Sequence, residues 1–139
     1  MRTVEINHAA VPAAAGALPK DQPVVMINLL RYREQADYGT RADVTPCSGR
    51  EAYYERYAAV SFPLVQQLGG KVFWLGKVQA TVIGPPDERW DDALLVEYPS
   101  FDALQTLFAN PEYQANVFHR SAALEDSRLI ATTTTSGIG

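Results

Sequence analysis

Four strand-like runs, in the order strand, helix, strand, strand, helix, strand, constrain this chain more than any other feature. The first run, Pro23 to Arg33 (PVVMINLLRYR), is β-branched and apolar over seven residues and reads as a buried strand. Alternation divides it into Val25, Ile27 and Leu29, expected to pack on helices, and Met26, Asn28 and Leu30 on the opposite face. Asn28 is the single polar residue inside the apolar run, so it must find partners or a cavity. A helix follows, opened by the capping box of Ser48 and Glu51. Tyr53, Tyr57, Val60, Leu64 and Leu68 recur at helical spacing until Gly69-Gly70 ends the run, and Pro63 is expected to kink it. The tyrosine stripe reads as core or dimer packing in preference to a ligand cage.

The second strand is expected over Lys71 to Pro85, with Gly76 marking a bulge or a close approach. The acidic turn PDERWDD leads to a third strand, Ala93 to Pro99, so these two should pair antiparallel. Ser100 caps a helix through Phe101, Leu104, Leu107 and Phe108, which Asn110-Pro111 interrupts and restarts. The run Ser127 to Thr135 makes a fourth strand. The βαββαβ order specifies an α+β, ferredoxin-like fold with helices on one face of an antiparallel sheet. The other sheet face, with Met26 and Leu30 in this phasing, is also apolar and needs cover, most economically by a second copy of the chain, sheet against sheet.

Two flanking segments complete a single domain over residues 1–139. Residues 1–22 form a helical extension: His8 to Asp21 is alanine-rich and broken by Pro12 and Gly16, and Glu5 precedes it. It therefore reads as a short helix capped near Asn7 rather than as a signal peptide, and the cytoplasm is the expected compartment. Residues 34–48 form a polar connection of unusual length, either a lid or a mobile excursion.

Composition removes several function classes. With 12 basic against 16 acidic side chains and a net charge of −4, the chain lacks the basic surface that nucleic acids require. No apolar stretch approaches membrane-spanning length. Cys47 is the only cysteine, so no intrachain disulfide can form, and no obvious base accompanies the thiol. No HExxH, CxxC, EF-hand, GxGxxG, P-loop or GxSxG pattern occurs, so neither a metal nor a cofactor is expected. Haem would need an axial ligand, and His119 stays open for that place.

Taken together, PVVMINLLRYR, GREAYYERY, IGPPDERWDDALLVEYPS and NPEYQANVFHRSAALEDSRLIAT resemble a bacterial group within the "domain of unknown function 1330" family. The resemblance spans Pro23 to Thr132. It implies membership of the dimeric α/β-barrel superfamily, in which two ferredoxin-like subunits pair their sheets. Relatives across that superfamily include cofactor-independent monooxygenases, lactone isomerases, haem-dependent enzymes and proteins without known activity. Fold analogy therefore selects no chemistry.

Candidate site residues follow from placement. Glu97 shares a strand face with Ala93 and Leu95, where a carboxylate is an ion-pair partner, an exposed edge residue or a tuned acid/base. Trp74 is placed to line a cavity or to fill volume. On a helical wheel Tyr113, Val117 and Leu124 form a narrow stripe with Arg120 on its edge, while His119 falls beside Glu112 and Asn116. Arg120 and Asn28 would then orient a small polar or carboxylated metabolite in a pocket between sheet and helices. His119 or Glu97 would supply acid/base chemistry for a cofactor-free oxygenation or isomerisation. The alternative is a non-catalytic module whose main property is self-association.

Overall fold

A computed structural model of the chain describes residues 2–135. Its elements are α1 (Ala10–Ala17), β1 (Val24–Tyr32), α2 (Gly49–Glu51), a π-helical segment (Ala52–Tyr57), α3 (Ala58–Gln67), β2 (Lys71–Lys77), β3 (Asp92–Tyr98), α4 (Phe101–Ala109), α5 (Pro111–Asn116), α6 (Phe118–Ala123) and β4 (Leu124–Thr132). The four strands form one antiparallel sheet in the order β2-β3-β1-β4. This is the α+β, ferredoxin-like arrangement that the element order specifies.

The phasing of the sheet is opposite to expectation. Val24, Met26 and Leu30 of β1 are buried, and they join Leu94, Val96 and Tyr98 of β3 in the core with Tyr53, Tyr57, Leu64, Leu104 and Leu107 from the helices. Val25, Ile27 and Leu29 lie on the outer face, opposite Glu97, Leu95 and Ala93. Both sets are apolar, so alternation alone does not say which meets the helices. The outer face also carries Trp74, 51% exposed, and Ile130, 47% exposed.

β2 ends at Lys77, eight residues short of the expected Pro85. Lys77 pairs with Asp92, the first residue of β3, and only the Val78 N–H to Asp91 carbonyl bond continues the ladder. Without a partner strand the following residues leave the sheet, and Val82 and Ile83 are almost fully exposed. The register shift in β2 falls between Val72 and Trp74, so the bulge is at Phe73. Gly76 is instead the close-approach point: a Cβ there would sit 2.3 Å from the Trp74 indole, which folds across it. β4 begins three residues earlier than expected because Leu124 pairs with Tyr32 across a second irregularity in β1.

The Ser48 capping box forms as expected, with its hydroxyl accepting from the Glu51 N–H and the Glu51 carboxylate accepting from the Ser48 N–H. Asn110 likewise caps α5 through its side-chain carbonyl, which accepts from the Glu112 and Tyr113 N–H groups. The long 34–48 connection closes on itself through the Ala36 N–H to the Cys47 carbonyl and is tied to the body by the Asp37 N–H, which donates to the Ala122 carbonyl. Gly49 closes this loop where no side chain fits, since a Cβ would lie 2.2 Å from the Arg33 carbonyl oxygen and 2.5 Å from that of Ala123.

Candidate functional site

A cavity of about 370 Å³ lies between the helix-facing side of the sheet and the helices, roofed by the N-terminal arm. That volume is in the range of small-molecule sites. Its floor includes Met26, Asn28, Leu94 and Val96 from the sheet, its walls Tyr53, Tyr57, Phe62, Tyr98 and Tyr113, and its roof Val4, Ile6, Val11 and Ala14. Each wall follows from local sequence. The π-helical turn over Ala52–Tyr57 brings both Tyr53 and Tyr57 inward, and the backbone carbonyls of Arg56 and Tyr57 accept from Asn116 Nδ2 at 3.4 and 3.1 Å. Tyr113 follows the Asn110-Pro111 restart and shares a 2.9 Å hydrogen bond with the Tyr57 hydroxyl.

Tyr53 and Tyr98 also form part of the wall, and neither hydroxyl has a hydrogen-bond partner among the described residues. Burial pushes both phenols well above their ordinary pKa, so they stay neutral hydrogen-bond donors near pH 7. Asn28 donates only long bonds, at 3.4 and 3.3 Å, to the carbonyls of Met26 and Leu94. Ser61, 2% exposed in the α3 wall, has a buried hydroxyl without a partner among the described residues. A site this apolar with several under-used polar groups is built to receive polar atoms from its contents.

Arg120 reaches the cavity from α6. The single helix from Tyr113 to Leu124 on which its helical phase rests does not form: α5 ends at Asn116, α6 spans Phe118–Ala123 and Leu124 opens β4. Its guanidinium donates to the Val4 carbonyl and, at 3.5 Å, to the Ser127 hydroxyl. The same strand edge binds the arm: the Ser127 N–H donates to the Thr3 carbonyl at 2.7 Å, and the Thr3 hydroxyl to the Ser127 carbonyl at 2.6 Å. At the head of α1 the Asn7 side chain accepts from the Ala9 N–H at 3.1 Å, the cap expected there, and Val11, Ala14 and Leu18 pack against the core although no residue of α1 is fully buried.

The sequence-derived candidates divide among three places. Asn28 and Arg120 meet in the cavity. Glu97 and Trp74 lie on the outer sheet face instead: Glu97 is 3.9 Å from Lys71 Nζ, and Trp74 pairs with Leu95. His119 turns away from the cavity, and its Nδ1 is 2.7 Å from the Tyr38 hydroxyl. Sequence reasoning did not assign the arm or the four wall tyrosines to a site. The tyrosine spacing is visible in the sequence, but the π-helical turn that aims it carries no local sequence signature.

A second buried polar group sits at the β3 start. Asp92, 3% exposed, accepts at Oδ2 from Tyr54 (2.5 Å), Tyr32 (2.7 Å) and Arg50 (2.9 Å). Burial alone would raise this carboxyl, but the bonds from Tyr54, Tyr32 and Arg50 outweigh it and hold the group below the usual range. The same burial, with Asp92 beside it, pushes Tyr54 up to about 12. This knot lies outside the cavity wall and joins sheet to helix. Among the described residues no helix is long and apolar enough to cross a membrane.

With that geometry in view, the relationships of the chain are informative. The family model "Domain of unknown function (DUF1330)" matches residues 48–134. The chain belongs to the DUF1330 family. A protein of unknown function from Rhodopseudomonas palustris is 36% identical, with 99% of this chain and 100% of that one covered at a TM-score of 0.85. More distant solved structures with a similar fold include hydroxynitrile lyase from Passiflora edulis, 12% identical over 86% of this chain and 99% of that one, TM-score 0.56. A proposed antibiotic biosynthesis monooxygenase of a Bacteroides species is also 12% identical, over 83% and 91%, TM-score 0.52. These last two share the fold alone with this chain. Comparison with curated proteins gives no match.

Proposed function

We propose that this DUF1330 protein binds a compact, largely apolar small molecule carrying a carboxylate, enolate or carbonyl oxygen, enclosed beneath the N-terminal arm. The observation that carries this reading is a predominantly apolar cavity of about 370 Å³ in which Arg120, Asn28, Tyr53 and Tyr98 offer donors. Donors aimed at one oxygen in a dry site stabilise negative charge there far more than water-exposed donors do. Such a site suits oxyanion chemistry without a cofactor, the isomerase- or monooxygenase-like reading. Glu5 is the one carboxylate among the cavity-lining residues and would be the base in that case. Without turnover, the same donors make a binding module.

The outer sheet face supports a homodimer: Ile27, Leu95, Trp74 and Ile130 present apolar surface that a second copy would cover. Ile27, Leu95 and Trp74 do not line the cavity, whereas Ile130 at the sheet edge also borders it, so substitutions at the first three separate the two properties.

Thermal-shift titration with a panel of aryl and medium-chain alkyl carboxylates tests the reading. Tyr53→Phe and Tyr98→Phe remove hydroxyls that the described residues do not bond, so stability should hold while ligand affinity falls about tenfold, the loss expected of a hydrogen bond to a charged group. Unchanged affinity in both variants, or no stabilising compound in the panel, would remove the proposal. Glu5→Gln separates the two outcomes: loss of turnover with binding intact supports the enzyme.

A further inference from the structure

Tyr53, Tyr57, Ser61 and Val65 follow one another at four-residue steps along the π-helical segment and α3, and all four line the cavity. Ser61 is the small, polar member of that stripe. It is 2% exposed, and its hydroxyl has no hydrogen-bond partner among the described residues. A helical serine can turn its hydroxyl back onto the carbonyl four residues earlier. Here that carbonyl belongs to Tyr57 and accepts from Asn116 Nδ2 at 3.1 Å, while its other lone pair serves the Ser61 N–H of the helix itself. The Asn116 contact thus leaves the serine hydroxyl unused in the cavity wall. A buried hydroxyl without a partner is a standing cost to the fold, and a ligand oxygen that bonds it removes that cost.

The charged end of the cavity lies about two helical turns away. Arg120 makes no ion pair among the described residues. Burial raises the Tyr53 and Tyr113 phenols, and the Arg120 guanidinium is near enough to oppose that rise in both. The strands place the two ends in the same order. Ser127, which Arg120 contacts, pairs with Leu30 near the end of β1. Val65, one turn past Ser61, packs at Gly70 beside the Glu97 carbonyl, and Glu97 pairs with Val25 near the start of β1. An acid at Arg120 and an oxygen at Ser61 would therefore be separated by two turns of helix, on the order of 10 Å. The lining that joins the two ends is aliphatic and aromatic, with Leu94, Val96 and Phe62 among it.

We propose that the cavity selects a two-ended ligand: an aryl acid whose carboxylate meets Arg120 and whose ring carries, para to the acid chain, a hydroxyl that bonds the Ser61 side chain. Ser61 is then the specificity-determining residue. This assignment rests on the reading of the cavity as a ligand site and adds the polar group at its far end. A ring with a short acid chain spans the gap, and its faces and edges suit walls of tyrosine and phenylalanine. A site that bonds a ligand hydroxyl discriminates against the analogue lacking it, because its own polar group is then left unpaired.

Calorimetric titration of the full-length protein with para-hydroxyphenylpropanoate and para-methylphenylpropanoate tests the assignment, since the two acids differ little in volume. The hydroxyl acid should bind about tenfold tighter. Ser61→Ala should erase that preference with the melting temperature unmoved, because the deleted hydroxyl bonds nothing in the free protein. Moving the ligand hydroxyl to the ortho position should remove its advantage in the wild type. Tyr53→Phe should weaken both para acids alike, since it acts at the end they share. Equal binding of the two acids, or a para-hydroxyl preference that survives in Ser61→Ala, overturns the role of Ser61 while the cavity reading stands. Failure of both acids to bind removes the two together.

Discussion

At the residue scale, Asp92 shows how one carboxylate can hold two elements together. It is buried with three donors on one oxygen, and replacing it with asparagine leaves Tyr32, Tyr54 and Arg50 sharing a weaker acceptor. The cost of Asp92→Asn should be about 2 kcal/mol, read as a lower urea midpoint. Its pH dependence has a definite sign. The folded carboxyl titrates below its unfolded value, so its contribution is complete above about pH 4 and is lost as pH falls through the folded pKa. The gap between wild type and variant should therefore shrink in acid. No local pattern announces this knot, because its members lie up to 60 residues apart. Asn28 was legible as a residue in need of a partner or a cavity, since an isolated polar residue in an apolar strand is a local fact, whereas the wheel that places Arg120 assumes a helix that breaks at Val117. The partner of Arg120 was not legible: the Val4 carbonyl is 116 residues away, and no periodicity connects an extended arm to a distant helix.

At the element scale, starts and stops were readable wherever a side chain bonds its own backbone, as at Ser48 and Asn110. Elements whose limits depend on a partner were not. β2 stops where β3 begins, and nothing in VQATVIG announces that. The inverted phase of β1 has a similar origin, because a strand apolar on both faces carries no label for inside. The 34–48 loop is neither free nor featureless, for Gly49 seals it against Arg33 and Ala123. Gly49→Ala would force backbone apart and should destabilise by about 3 kcal/mol, a drop in melting temperature without loss of the capping-box helix by circular dichroism. The arm offers the opposite case. Thr3→Ala removes the hydroxyl bond to Ser127 while α1 adds no buried residue, so global stability should barely move. Proteolysis ahead of β1 should accelerate several-fold, and a cavity ligand should slow it again.

At the scale of the whole molecule, the two faces of the sheet divide the work. One face carries the core and the cavity, and the other exposes Ile27, Leu95 and Trp74, the surface proposed to receive a second copy. Light scattering on the eluting protein should give twice the monomer mass at micromolar concentration, and Trp74→Asp should return it to one, with little change in unfolding midpoint because Trp74 is half-exposed already. The Trp74 indole, laid over Gly76 on that face, adds a property of another kind. Trp90, the other tryptophan of the chain, sits under the Arg128 guanidinium, 5.0 Å away, at the far side of a loop. Emission from Trp74 should therefore shift to the blue on concentration and back to the red on dilution, giving the chain a built-in optical gauge of its own pairing.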